Sequence, residues 1–268
     1  YLFELYLGVK EYSTPEEILL HIAPVGWVLV GLSMVELLAT FGVRFYATQF
    51  SEVKLSVQKL MTLHYLTNNI RAMKENQIIW FSIWGTAIFW GMSQNLVAVI
   101  PALAKVNLGV TSPLMVNAML ALSVIGIMVG AYVSARKSVN SVKVNNIYTG
   151  STTITVCAIL VPVVATLSFI PNSTALIIVS TLILLFGVGA GMMLVPLNAL
   201  IQAHSAKDGL GSVLAGKNWI QNMAMIGLLL LTVFLARSNV NSVYILYLNA
   251  LIAVVGFTVV LKRLKAIL

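Results

Sequence analysis

Charge is the scarcest property of this chain. Lys, Arg, Asp and Glu make up 9% of its 268 residues, against about 25% in a soluble domain. With 59% hydrophobic residues and a mean hydropathy of +0.96, it lacks the polar surface that a water-soluble fold requires. Cysteine occurs once, at Cys157 inside an apolar run, so no internal disulfide can form. The short alternating segments of a membrane β-barrel are missing, as are low-complexity tracts. Catalytic constellations are missing too. His21, His64 and His204 are scattered; Asn69 lies five residues after His64 and Asp208 four after His204, so neither makes an acyltransferase-type His–Asp spacing. No phosphate loop, metal cluster or nucleophile elbow is present, and no cofactor is called for.

Long hydrophobic runs occupy most of the chain instead. Seven are long enough to cross a bilayer as helices, at 20–46, 77–102, 113–135, 147–169, 174–200, 217–237 and 242–262. A crossing takes roughly 20 apolar residues at about 1.5 Å each. The runs are continuous, so helices are expected, not strands.

The net charge of +8 follows the same plan. The segments 44–76, 136–143, 203–217 and 262–268 hold 13 of the 16 Lys and Arg residues, and the opposite-side segments hold Lys10, Lys105 and Arg237. Basic residues collect on the cytoplasmic side of a membrane. This predicts a cytoplasmic C-terminus and accounts for the basic charge without nucleic acid.

One inter-span stretch, 49–76, is long and polar. Leu60, Leu63, Leu66, Ile70 and Met73 recur at helical spacing, with Lys59, Thr67, Asn68, Arg71 and Lys74 between them. The pattern predicts an amphipathic helix, either a solvated linker or one resting on anionic lipid. It divides the chain into 1–48, the linker 49–76, and a six-span part, 77–268. Six spans after a cytoplasmic linker match half of a twelve-span transporter. The opening YLFELYLG reads like the tail of another span, so the chain is expected to start partway through a longer protein whose N-terminal half is its partner.

The candidate functional residues are the polar ones inside the spans. Glu36 is the acidic residue deep in a run, on one helical face with Ser33 and Thr40. It is either a cavity-facing carboxylate for a proton or cationic group, or a protonated Glu bonded between helices. In GKNWIQNMAM, Lys217, Asn218, Gln221 and Asn222 form a polar flank that lipid would penalise. Interhelical bonding and contact with a substrate headgroup are its two readings. Gln94 and Asn95 interrupt the span 77–102, and Asn117 the next. Asn198 follows Pro196, which removes a backbone donor and is expected to bend its helix. Gly187, Gly189 and Gly191 permit close helix approach.

From about residue 77 the chain resembles the lysophospholipid transporter family of the major facilitator superfamily. The likeness rests on GTAIFWG (85–91), IPALAKVNLGV (100–110), NAMLALSVIGIMVGA (117–131), LVPLNALIQ (194–202) and AGKNWIQN (215–222). It is greatest to variants fused to an acyltransferase and acyl-carrier-protein synthetase. The resemblance implies a twelve-helix, all-α carrier in a bacterial inner membrane that moves lysophospholipids, mainly lysophosphatidylethanolamine, between leaflets by alternating access. Residues 1–17 would then end the fifth helix, and 20–46 would be the sixth. The lipid or other amphipathic substrate would meet Glu36, Gln94, Asn95, Asn117, Asn198, Asn218, Gln221 and Asn222.

The alternatives are a proton-coupled exporter of drugs or siderophores, a seven-span receptor and a membrane-embedded enzyme. A retinal receptor needs a mid-membrane lysine in its last span, and here the first lysine is Lys262 at the span's end. The missing catalytic pairs disfavour an enzyme.

Overall fold

The computed structural model describes residues 15–42, 64–137, 144–206 and 209–268, all of it helix and short turns. Eight helices are present among them: α1 (Pro15–Phe41), α2 (His64–Glu75), α3 (Gln77–Asn107), α4 (Pro113–Lys137), α5 (Val144–Thr166), α6 (Asn172–His204), α7 (Leu210–Arg237) and α8 (Ser242–Ile267). They fall into two units, 1–57 and 58–268. The first contains α1, which overlaps the predicted span 20–46; residues 43–46 lie outside the described residues, as does the opening 1–14.

In the second unit, α3 to α8 are each long and apolar enough to cross a membrane, and the chain is a multi-pass, all-helical membrane protein. Local signals set the helix boundaries. Asn76 caps α3, its Oδ1 accepting from the backbone N–H groups of Ile78 at 3.0 Å and Ile79 at 3.3 Å. Asn241 caps α8 through the Val243 N–H at 3.0 Å. Pro113 opens α4 at a position where its missing N–H is harmless. At the turn between α3 and α4, Gly109 takes a positive φ of 67°.

The short connections make successive helices antiparallel. α6 packs against α4 and α5, α3 packs against α7 and α8, α5 meets α8, and α3 meets α6. These contacts are preserved when α3, α4 and α5 are exchanged for α6, α7 and α8. The bundle is therefore two three-helix units of opposite direction, with α3 and α6 at the centre. Phe89 and Phe186 stack across that centre with ring centroids 6.0 Å apart. Around them lie Met92, Leu96, Ile154, Val161, Ile183 and Phe257.

Lipid tails are as apolar as these side chains, so burial alone gives the helices little reason to associate. Close packing must supply it, and the glycines of α4 and α6 do. A β-carbon on Gly126 or Gly130 would overlap the Leu184 or Val188 carbonyl. One on Gly187 or Gly191 would overlap the Ser123 or Ile127 carbonyl. Each pair is spaced four apart, so two small-residue ridges face each other.

Pro196 does not break α6, which is helical from Asn172 to His204. The carbonyl that Pro196 leaves without its i+4 donor is that of Met192. Ser134 of α4 donates to it at 3.4 Å, and Asn146 of α5 donates to Ser134 Oγ at 3.2 Å. The helix therefore continues through Pro196, with its freed acceptor met by Ser134, which Asn146 in turn holds in place.

The linker is a helix over α2; its part before residue 64, with Leu60 and Leu63, lies outside the described residues. It is not simply solvated. Met73 is fully buried, and a β-carbon on Gly216 of α7 would come within 2.5 Å of its Cε. Ile70 packs with Ile79, Ile83 and Ile220 in the same small cluster. The apolar stripe of α2 thus docks onto α3 and α7.

Candidate functional site

α3 begins, α4 ends, α5 begins, α6 ends, α7 begins and α8 ends at one end of the bundle, which carries Lys74, Arg136, Lys137, Lys262, Arg263 and Lys265. Near this basic end, Lys217 of α7 reaches α6. Its Nζ donates to Asn198 Oδ1 at 2.5 Å, while Asn198 Nδ2 donates to the Leu194 carbonyl at 2.8 Å. An ammonium and an amide thus meet between two apolar helices about two turns in from the helix ends.

The amides of α7 divide between two environments. Gln221 is 8% exposed, and its Nε2 has no hydrogen-bond partner. Asn218 and Asn222 are exposed. At 100° per residue, Lys217, Asn218, Gln221 and Asn222 fall within about 140° of the α7 surface, the side from which Lys217 reaches α6. Leu230 points about 80° from Asn222 and about 120° from Asn218, to an apolar face, and is 64% exposed. An exposed pair of asparagines beside a lysine on a membrane helix needs water, a polar ligand or a further polar helix in front of it.

Asn95 lies about 22 Å farther along, judged from the 15 residues of α7 between Lys217 and its partner Thr232. It is 1% exposed, and its Oδ1 accepts from Thr232 Oγ1 at 2.6 Å. Beside it, Asn249 of α8 donates to the Met92 carbonyl at 3.2 Å, leaving its own Oδ1 unpaired. This second cluster ties α3 to α7 and α8. Gln94 is half-buried one residue before it, and Asn117 is exposed near the far end of α4.

The seven expected residues that lie in the second unit do not form one constellation. Asn198, Asn218, Gln221 and Asn222 gather with Lys217 at the basic end. Asn95 joins α3 to α7, Gln94 lies beside it, and Asn117 stands apart. Glu36 is on α1 in the other unit, where Thr40 Oγ1 donates to its backbone carbonyl at 2.8 Å. Sequence reasoning placed Lys217 in the polar flank but not among the eight expected contacts. It also passed over Thr232, Asn249, Ser134 and Asn146. Asn249, a lone amide in an apolar run, could have been flagged; Thr232 and Ser134 are residue types too ordinary in such helices to stand out. Among the described residues no group of His, Cys, Asp and Glu is placed to hold a metal ion.

No family model matches the chain, and no solved structure matches it. Its curated relatives include the lysophospholipid transporters LplT of Salmonella paratyphi B and Salmonella newport. Each is 35% identical over 150 residues, 54% of this chain and 34% of the relative. The chain thus spans about a third of the length of these relatives, and the proteins it is similar to are named as transporters, not enzymes.

Proposed function

We propose that the chain is the C-terminal portion of a major facilitator transporter that moves lysophospholipids across a bacterial inner membrane by alternating access. The similarity to named lysophospholipid transporters supports the substrate class. The exchange relation between α3–α5 and α6–α8 supports the superfamily, whose six-helix halves are built from inverted three-helix repeats. In this reading α1 is the sixth of twelve spans and belongs to the other half, and the basic end is cytoplasmic.

The observation that carries the proposal is the Lys217–Asn198 contact with Asn218 and Asn222 exposed beside it. A lysophospholipid presents a phosphate, polar hydroxyls and one acyl chain. Lys217 supplies the counter-charge, the asparagine amides supply donors, and the apolar face of α7 leaves the acyl chain in hydrocarbon. Motion of one half against the other carries the headgroup past this wall. Gln221, buried with an unpaired amide, gains a partner when the wall rearranges.

The test is lysophosphatidylethanolamine translocation by the full transporter in proteoliposomes. Removing a charge-assisted bond from a low-dielectric site should slow Lys217→Met about tenfold or more. Leu230→Ala should transport normally. Wild-type rates in Lys217→Met would overturn the proposal. A proton-coupled exporter is the competing reading, and it rests on Glu36.

A further inference from the structure

We propose that the joint between α2 and the bundle is a docking site for a membrane phospholipid with a single negative charge, separate from the transport path. Two adjoining hollows meet there. One, of about 330 Å³, lies along an exposed side of α2 and is lined by Thr67, Arg71, Lys74 and Glu75. The other, of about 340 Å³, is apolar and lined chiefly by Trp80, Trp84, Trp219 and Met223. Ile70 borders both. A polar basin beside an apolar one, at the end of membrane helices, has the division of a lipid's headgroup and chain.

The chemistry narrows the occupant. Arg71 and Lys74 against the carboxylate of Glu75 leave one net positive charge in the polar basin, which fits one phosphodiester and disfavours a headgroup with more. Lys74 already sits 5.2 Å over the Trp80 ring, and Trp80 and Trp84 meet edge to face at 5.8 Å. That arrangement holds the ammonium at the boundary between the two hollows, where a phosphate would lie. Trp84 and Trp219 are 39% and 40% exposed, so the apolar basin is open on its outer side. Met73, locked against Gly216, fixes α2 to the bundle and so keeps the two basins together. Trp219 and Met223 centre about 100° around α7 from Asn218 and Asn222, so the site takes a different side of that helix from the proposed headgroup contacts.

Tryptophan quenching by brominated phospholipids tests this on the full transporter, with every tryptophan but Trp80, Trp84 and Trp219 replaced by Phe, Trp27 and Trp90 among them. In vesicles of phosphatidylcholine with phosphatidylglycerol, brominated phosphatidylglycerol should be preferred over brominated phosphatidylcholine about fivefold at low salt. High salt should reduce the preference toward unity. Arg71→Gln with Lys74→Gln should abolish it, and Lys74→Arg should keep it. A wild-type ratio near one, a preference unchanged by salt, or one retained in the double variant would each overturn the proposal. A stronger preference for cardiolipin than for phosphatidylglycerol would overturn the single-charge match. The salt series needs no variant at the site, so a misfolded double variant leaves the test intact. Failure here would not touch the transport reading, because no transport is measured.

Discussion

Gly130→Ala is a one-carbon change with a large expected effect. The new β-carbon would overlap the Val188 carbonyl and crowd its Cα at 3.0 Å. Both are backbone atoms of α6, so no side chain can rotate away. Relief requires α4 to move off α6, which loosens the facing contacts of Gly126, Gly187 and Gly191 as well. Overpacking of this kind costs about 1–3 kcal/mol, occasionally more. The opposing gain, from better helix propensity, is only about 0.5–1 kcal/mol. Gly227 is the internal control, because a β-carbon there meets nothing within 4 Å. Gly227→Ala should therefore be neutral or mildly stabilising. In detergent, thermal unfolding followed by loss of the monodisperse peak should place Gly130→Ala several degrees below the parent, at about 2–4 °C per kcal/mol. Gly191→Ala should cost a similar amount, and the double variant less than the sum, since both strain one crossing. Equal melting of Gly130→Ala and Gly227→Ala would refute the claim that backbone proximity holds α4 to α6.

Other perturbations address other contacts. Thr232→Val removes the hydroxyl bonded to Asn95 and should destabilise by roughly 0.5–2 kcal/mol, with Asn95→Ala adding little on top; unfolding of the two single variants and the double variant checks this. Met73→Ala empties a buried position under α2, so hydrogen exchange should speed up across 67–75 while α5 and α8 stay protected. Glu36→Gln should leave lysophospholipid translocation intact and equal at two pH values; a strong pH dependence in the wild type that the variant loses would favour the proton-coupled reading.

The spans were readable because hydrocarbon leaves the backbone one economical solution, and the hydropathy of 77–262 reports it directly. The glycines were readable as small residues, but not which helices they join. Gly187 and Gly191 face α4 while Gly189 faces Gly150 of α5, a division that depends on the three-dimensional crossing. The polar flank of α7 was legible as a pattern. That Lys217 bonds Asn198, Gln221 is buried and Asn218 and Asn222 stay exposed depends on where α3 and α6 lie. Asn95 looked like a substrate contact because an amide in an apolar helix demands a partner; the partner, Thr232, is 137 residues away and carries no signal of its own. The stripe of α2 was visible too, but the face that receives it is made by Gly216 of α7, far along the chain.

The central claim is that the asparagines of α7 border a water-filled path inside a membrane protein. Cysteine accessibility tests it in intact membranes. In a background with Cys157 and any other cysteine of the transporter replaced by Ser, single variants Asn218→Cys, Asn222→Cys and Leu230→Cys are exposed to a membrane-impermeant maleimide. The account predicts labelling of the first two, slowed by lysophospholipid, and none at the third. Labelling at Leu230→Cys with protection of Asn218→Cys and Asn222→Cys would contradict it.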